Sequence, residues 1–248
     1  MIKQNMHIHS KYSWDSKMEI NEIAKILVEK NIRYAAITDH VEFKHESLLS
    51  VLMNLKIRNL EIDKINKLYE GKLTLLKAVE ISEPHLYKEK VEALAELRLD
   101  FIMGSIHNID KTGTTNLEKN KIYRRYYQEV LKMIEANQID VVGHLDYINR
   151  YYDKDYKEIK QVYEVLKAIK EHNQIIEINT SAERRMGANT FPSLEKICSY
   201  TLTQRDIMIG TDAHQYNELT DNLDQAEAIV NELALKPVIY QKRKRIIL

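Results

Sequence analysis

The chain has 248 residues, 44% of them hydrophobic and 30% charged, with 37 basic against 37 acidic side chains and a formal net charge of zero. That length suits one large domain or two small ones, and the balanced charge gives no electrostatic case for nucleic acid as the main partner. The single cysteine, Cys198, excludes an intramolecular disulfide framework and any cysteine-rich zinc or iron–sulfur site, so a metal would have to be held by His, Asp and Glu.

No run of about 18 uncharged apolar residues occurs, and Met1 to Asn5 form no apolar leader, so the expectation is a cytoplasmic protein without a membrane span. With six glycines, three prolines and no low-complexity linker, residues 1–248 read as one domain. Ile2 to Ile8 form a first β-like run. Ile20, Ile23, Ala24 and Leu27 then recur with the spacing of a helix that buries one face, and Ser16 with Glu19 offers a capping box. Strand Tyr34 to Thr38 and a long amphipathic helix, Glu46 to Tyr69, follow. Strand Leu73 to Ile81, helix Tyr87 to Leu99, strand Asp100 to Ile106 and helix Lys121 to Ala136 repeat the unit. The pattern continues with strand Ile139 to Val142, helix Tyr156 to His172, strand Ile175 to Ile178, helix Ser193 to Tyr200, strand Ile207 to Ile209 and helix Asn222 to Leu235.

Short apolar strands that alternate with helices predict an α/β fold with a parallel sheet covered on both faces. An open doubly wound sheet and a closed barrel both fit this spacing. No glycine-rich phosphate fingerprint follows any strand, which weakens a dinucleotide-binding or P-loop reading. Lys242 to Arg245 read as a solvated basic tail, and Cys198 as a core residue on a helix face.

Six of the nine histidines fall at or just after strand C-termini, where parallel α/β folds place their ligand sites. His7 and His9 end the first strand, with Asp15 in the next loop, and Asp39 and His40 follow the second. Glu80 ends the third, His107 the fourth and His144 the fifth, and Asp212 and His214 follow the seventh. Two residues apart, His7 and His9 project to one side of an extended chain and can approach one cation together, as can Asp212 and His214. Each pair alone is a weak signal. Convergence of these strand ends on one rim points to multinuclear metal binding, and imidazole with carboxylate suits zinc, manganese or iron.

These residues, His7-x-His9, Asp15, Thr38-Asp39-His40, Glu80, His107, His144 and Asp212-x-His214, resemble the polymerase-and-histidinol-phosphatase (PHP) family of metal-dependent phosphoesterases over nearly the whole chain. The segments Gly104-Ser105-Ile106-His107, Val142-Gly143-His144-Leu145-Asp146 and Glu177-Ile178-Asn179-Thr180-Ser181 are similar to its histidinol-phosphatase branch. The resemblance implies a distorted (β/α)7 barrel with the metal site at the C-terminal rim of the strands. It also implies a partition of two to three divalent ions. His7, His9, Glu80 and Asp212 would hold the first, Glu80, His107 and His144 the second, and Asp15, His40 and His214 the third. Asn5 stands where many members have aspartate, which alters the support for His7, and Asp15 stands where some have histidine.

The expected chemistry is hydrolysis of a small phosphate ester, with L-histidinol phosphate of histidine biosynthesis as the preferred substrate by resemblance. A metal-bridging hydroxide would attack phosphorus in line, with Glu80 holding the metal pair and Asp212 or His214 supplying the leaving-group proton. Arg184, which matches the Asn-Thr-Ser-x-x-Arg pattern and ranks first, Arg150 and Arg185 are the candidate phosphate donors. The sixth strand supplies no metal ligand in this reading, which leaves its rim to substrate. Asp39 and Asp146 are expected to orient ligating histidines. Trp14 is a candidate pocket wall; His45 and His85 read as loop or wall residues, His172 as a helix-end residue, and Tyr126, Tyr127, Tyr151 and Tyr152 as packing. The alternatives are a nuclease of the same family, a noncatalytic metal scaffold and a metal-dependent amidohydrolase. Neutral charge counts against the first, an excess of ligands over the four of a closed structural site against the second, and rim arginines against the third.

Overall fold

The computed structural model describes residues 4–109, 111–113, 115–152, 159–187 and 190–248. Its strands are β1 (Gln4–Ile8), β2 (Tyr34–Ile37), β3 (His40–Val41), β4 (Thr74–Ser82), β5 (Phe101–Ser105), β6 (Val141–Val142), β7 (Ile175–Asn179), β8 (Asp206–Gly210), β9 (Lys236–Gln241) and β10 (Lys244–Ile247). The helices are α1 (Ile20–Glu29), α2 (Leu48–Leu68), α3 (Lys88–Ala93), α4 (Asn116–Glu135), α5 (Ile159–Glu171), α6 (Ser181–Met186), α7 (Leu194–Tyr200) and α8 (Leu223–Glu232). Strand order is β1-β2-β4-β5-β6-β7-β8-β9-β10, with β3 paired to β4. All pairings are parallel except β9 with β10. No described helix is long and apolar enough to cross a membrane.

Strands β1 and β8 meet through the parallel bridge of Ile8 with Ala213, where His9 N donates to Ala213 O at 2.9 Å. Lower down, Asn5 Nδ2 donates to Thr211 Oγ1 at 2.8 Å and Thr211 N to Asn5 Oδ1 at 3.1 Å. Seven strands thus wrap round one interior as a distorted barrel. Met6, Ala36, Ala78, Phe101, Met103, Val141, Ile175 and Met208 fill that interior, while Ile8, Val79, Ile102, Val142, Ile176 and Ile207 pack outward with the helices.

The strand period places function directly above this packing. Continuing the inward face two residues at a time leads from Ala78 to Glu80, from Met103 to Ser105, from Ile175 to Glu177 and from Met208 past Gly210 to Asp212, with every one of these polar groups buried. A register shift in β1 between Asn5 and Ile8 lets Met6 belong to the interior while Ile8 packs outward, so that His7 and His9 on either side of Ile8 both turn inward.

Several elements differ from the expectations. Ser16 and Glu19 form no capping box: α1 has no side-chain cap, Ser16 Oγ donates to His9 O at 3.0 Å, and Glu19 pairs with Lys11. Helix α2 is apolar on both faces, with Val51, Leu55 and Ile62 buried and Leu49, Met53 and Leu60 exposed. The segment after Tyr87 breaks into α3 and a 3-10 turn, Leu94–Leu97, ended by Arg98 at φ 49°. Helix α4 begins ahead of Lys121 because Thr115 and Glu118 form a complete capping box. The expected start of the next helix, Tyr156, lies outside the described residues, as do Ile2 and Lys3 of the first strand. Cys198 is exposed rather than buried.

The basic cluster at Lys242 to Arg245 is no free tail. Lys242 and Arg243, at φ 51° and 64°, turn a hairpin between β9 and β10. Arg243 Nε pairs with Asp140 at 2.5 Å, Arg245 Nη1 with Asp206 at 2.8 Å, and Arg243 N donates to Asp100 O at 2.8 Å. Since β9 pairs with β8 at Asp206 and Ile207, the hairpin crosses from β8 to the start of β5, and its Val238 and Tyr240 join the interior cluster at the end away from the histidines.

Candidate metal centre

Glu80 stands at the centre of the rim, fully buried. Its Oε2 lies 3.1 Å from His7 Nε2, 3.5 Å from His9 Nε2 and 3.2 Å from His40 Nδ1, and its Oε1 lies 2.8 Å from His144 Nε2 and 3.2 Å from His107 Nε2. Asp212 Oδ1 approaches His9 Nε2 at 3.3 Å and His7 Nε2 at 3.7 Å. Asp15 Oδ2 lies 2.9 Å from His214 Nε2 and 3.3 Å from His40 Nε2. Four overlapping groups result: His7 with His9 and Glu80; Glu80 with His107 and His144; Asp15 with His40, His214 and also His9; and Glu42, which is not among the sequence candidates, with His40 and His107. All nine sequence-predicted ligand candidates therefore sit in one constellation, with Glu80 shared.

The donor chemistry fits cations. His214 Nδ1 lies 2.9 Å from Asp212 O, which only accepts, so that nitrogen carries the proton and the Nε2 lone pair of the neutral ring points at the Asp15 carboxylate. His7 Nδ1 donates to Glu177 Oε1 at 2.7 Å, which in the neutral ring aims the Nε2 lone pair at Glu80 Oε2 and, at 3.0 Å, at His9 Nε2. Lone pair against carboxylate is repulsive unless a proton or a metal ion lies between them. Either resolves it, and the crowding of imidazoles makes full protonation expensive.

The electrostatics describe that competition. Burial, followed by the neighbouring His40, pushes His9 down to about 3, leaving it a neutral ligand at neutral pH. Burial also disfavours charge on His107, yet Glu80 and Glu42 together raise it to about 10. Desolvation alone would raise the Glu80 and Asp212 carboxyls; His7 and the other nearby imidazoles hold both well below the usual carboxylate range. In the metal-free protein, stability from the His107 contact is fully present below its unfolded pKa of about 6.5 and is lost as pH rises through about 10. Zinc or manganese binding at pH 7 is therefore expected to release protons and to weaken as pH falls. Calorimetry in buffers of different ionisation enthalpy measures this; a buffer-independent heat would contradict it.

Supporting contacts depart from the expectations. Glu177, on β7, is the residue that fixes His7, and its Oε2 also accepts from His144 N at 3.0 Å. The sixth barrel strand thus serves the site from beneath. Gly210 is required there, because any Cβ would collide with Glu177 and His7. Among the described residues Asp39 contacts no histidine ring; it accepts from Ser10 N at 2.5 Å and pairs with Arg58 at 3.3 Å. Asp146 instead takes Tyr127 OH, Ser193 N and Lys196 Nζ. His144 and Asp212 have positive φ, 21° and 52°, a backbone state rare outside glycine that occurs here at two ligand candidates.

A cavity of about 360 Å³ opens on these groups, lined by Trp14, Glu42, Tyr147, Arg150 and Arg185 besides the candidate ligands. Arg185 Nη2 donates to Asp212 Oδ2 at 3.1 Å, and Arg150 Nη1 to Tyr147 OH at 2.9 Å. Arg184 donates through Nη2 to Thr211 O at 2.7 Å and Asp212 O at 2.6 Å, and it lines an adjoining recess with Glu218 and Asp221 that shares Arg185 and His214 with the cavity. His85 pairs with Glu129 at 3.0 Å, away from the ligand groups. A roomier cleft of about 860 Å³ between α3 and the Lys242–Arg243 turn is lined by no histidine, so size does not locate the chemistry.

Comparisons with known proteins agree with this geometry. Residues 5–181 match the PHP domain. A Clostridium acetobutylicum protein named a probable histidinol-phosphatase is 28% identical over 96% of both chains, and a Thermotoga maritima protein of the same name is 27% identical over 89% of this chain and 88% of its own. The fold is shared with a histidinol phosphate phosphatase from Lactococcus lactis, solved with zinc, L-histidinol and phosphate. It has a TM-score of 0.79 at 18% identity and 99% coverage of both chains.

Proposed function

This chain belongs to the PHP family, and from that premise we propose that it is a metal-dependent phosphomonoesterase that hydrolyses L-histidinol phosphate to L-histidinol and phosphate, as a cytoplasmic enzyme of histidine biosynthesis. The observation that carries the proposal is the convergence of six histidines with Asp15 and Asp212 around Glu80, beneath a cavity that also holds Arg150 and Arg185.

His7, His9, Glu80 and Asp212, then Glu80, His107 and His144, then Asp15, His40 and His214 are the residues that would hold two to three divalent ions, zinc, manganese or iron by ligand type. Bound there, such ions acidify a water and offset the charge of a phosphate monoester. Arg185 and Arg150 bind the remaining phosphate oxygens and orient phosphorus for in-line attack. Asp212 is ionised, and Arg185 and Ser181 Oγ, at 3.1 and 3.2 Å, keep its Oδ2 on the cavity side. That oxygen would relay a proton from a cavity water to the alkoxide as the bond from phosphorus to the alcohol oxygen breaks, while the proton of the attacking water, on the opposite face of phosphorus, leaves to solvent. His214, with Nδ1 committed to the Asp212 carbonyl and Nε2 to Asp15, is a ligand rather than the acid. Arg184 braces the Thr211–Asp212 backbone.

Arg185→Ala is expected to cost about 1.5–3 kcal/mol of phosphate binding, roughly 10- to 150-fold in kcat/KM. Unchanged steady-state constants would remove Arg185 from the phosphate site. The function itself is tested by turnover of the metal-loaded protein on histidinol phosphate, sugar and nucleotide monophosphates, and short DNA. The highest kcat/KM is expected for histidinol phosphate; cleavage of DNA alone, or of no ester, would overturn the proposal.

A further inference from the structure

Helix α2 leaves a line of apolar side chains uncovered. Its inner face buries Val51, Leu55, Ile62 and Ile65, and that packing needs no second apolar face. Yet Leu49, Met53, Ile57, Leu60 and Leu68 are between 55% and 68% exposed. Five of the fourteen large hydrophobic side chains exposed among the described residues thus lie on one helix, and a contiguous set, unlike scattered surface hydrophobics, marks an interaction face. With Lys64, whose aliphatic stem continues the line, the successive spacings are four, four, three, four and four residues. At 3.6 residues per turn all six positions fall in a stripe about 100° wide.

These spacings read the same from either end, which is the property a stripe needs in order to pair with itself about a twofold axis. An antiparallel copy, with the axis level with the midpoint of Arg58 and Asn59, sets Leu49 against the partner's Leu68, Met53 against the stem of the partner's Lys64 and Ile57 against the partner's Leu60. Lys56 and Asp63 share one flank of the stripe, and the same axis brings each within one residue of the other across the pair. Within the chain Lys56 already meets Glu96 at 2.9 Å and Asp63 meets Lys77 at 2.6 Å, so the cross-pair would complete a row of four charges of alternating sign. The exposed aliphatic side chains amount to on the order of 500 Å² per chain, large for a monomer and, with these flanking groups, close to the about 800 Å² per partner of a stable interface. We propose that the chain forms a homodimer through antiparallel α2 helices. A lipid surface fits less well, because anionic headgroups repel Asp63 and gain nothing from a symmetrical register.

Light scattering of the purified protein at micromolar concentration is expected to give twice the chain mass of 29.2 kDa. Leu60→Glu, at a side chain already 62% exposed, should leave the circular dichroism unchanged and raise the dimer dissociation constant roughly a hundredfold or more, because pairing then buries an unpaired carboxylate. Lys56→Glu and Asp63→Lys should each weaken the dimer by a few fold, and together they should restore it. The register is read by oxidising a variant that carries Leu49→Cys and Leu68→Cys, with the exposed Cys198 replaced by serine. About 28 Å apart along one helix, the two thiols can bond only between chains, so a covalent dimer is expected from this variant and none from Leu49→Cys alone. A monomer at every concentration, a dimer indifferent to Leu60→Glu, no cross-link, or monomers that bind phosphatidylserine vesicles and lose that binding in Leu60→Glu would each overturn the inference.

Discussion

Glu80→Gln is expected to reduce turnover at least a thousandfold, about 4 kcal/mol of barrier, while the protein stays folded. The two oxygens of Glu80 face different imidazole groups, His7, His9 and His40 on one side and His107 and His144 on the other. An amide keeps the shape but removes the charge and turns one of those oxygens into an N–H donor aimed at nitrogen lone pairs. Ser105 Oγ, which donates to Oε1 at 2.6 Å, still finds an acceptor if the amide oxygen takes that side, so the loss should appear in metal content and kcat before stability. Wild-type kcat with a full metal complement in this variant would remove Glu80 from the centre of the mechanism.

Asp39→Ala is expected to be the most damaging single change to stability, on the order of 3–5 kcal/mol against a total of about 5–15. Arg58 is fully buried on α2, with Asp39 as its anionic partner at 3.3 Å and Asn59 Oδ1 as its other acceptor. Burial disfavours both charges, raising Asp39 and lowering Arg58, and each ion opposes the shift of the other. Removing the carboxylate strands a guanidinium in an apolar layer. The Ser10 backbone N–H, which follows His9, loses its acceptor at the same time. Urea unfolding should show a lower midpoint at unchanged slope. The double variant Asp39→Leu with Arg58→Met should recover much of the loss, because an apolar pair carries no desolvation cost. A cost below about 1 kcal/mol in the single variant would mean that Arg58 finds water or another acceptor.

The parts of this molecule that the sequence makes legible follow from period and position. Seven apolar runs become seven barrel strands because strands covered on both faces cannot hide their hydrophobicity, and a histidine or acid directly after such a run marks the rim. The β9–β10 hairpin is not legible in the sequence, because Lys242 to Arg245 has the composition of a solvated segment. Its charges are spent on Asp140 and Asp206, partners far away in the chain, and the hairpin reveals itself only when those contacts are seen. Glu177 carries the same signal as Glu80, a lone acid in an apolar strand, yet its contact is to a histidine on β1 and no local spacing reports it. Asp39 and Asp146 illustrate the converse. Proximity in sequence to His40 and His144 suggests that they hold those rings, but their side chains turn to Arg58 and Lys196: Asp39 sits next to His40 in extended chain and faces the other way, and Asp146 lies past the end of β6, in the loop that enters the 3-10 turn Tyr147–Arg150. Arg184 and Arg185 also differ by one step along a short helix, which suffices to send one toward backbone carbonyls and the other to the cavity.

The central claim is that the His and carboxylate constellation is a metal centre that performs phosphomonoester hydrolysis. Its most direct test is to chelate the purified protein, restore zinc, manganese or iron stepwise, and follow bound metal and histidinol phosphate turnover on the same samples. Turnover should vanish in the chelated protein and return in proportion to metal, saturating at two to three ions per chain. Full activity without metal, or metal uptake at these residues with no return of turnover, would contradict it.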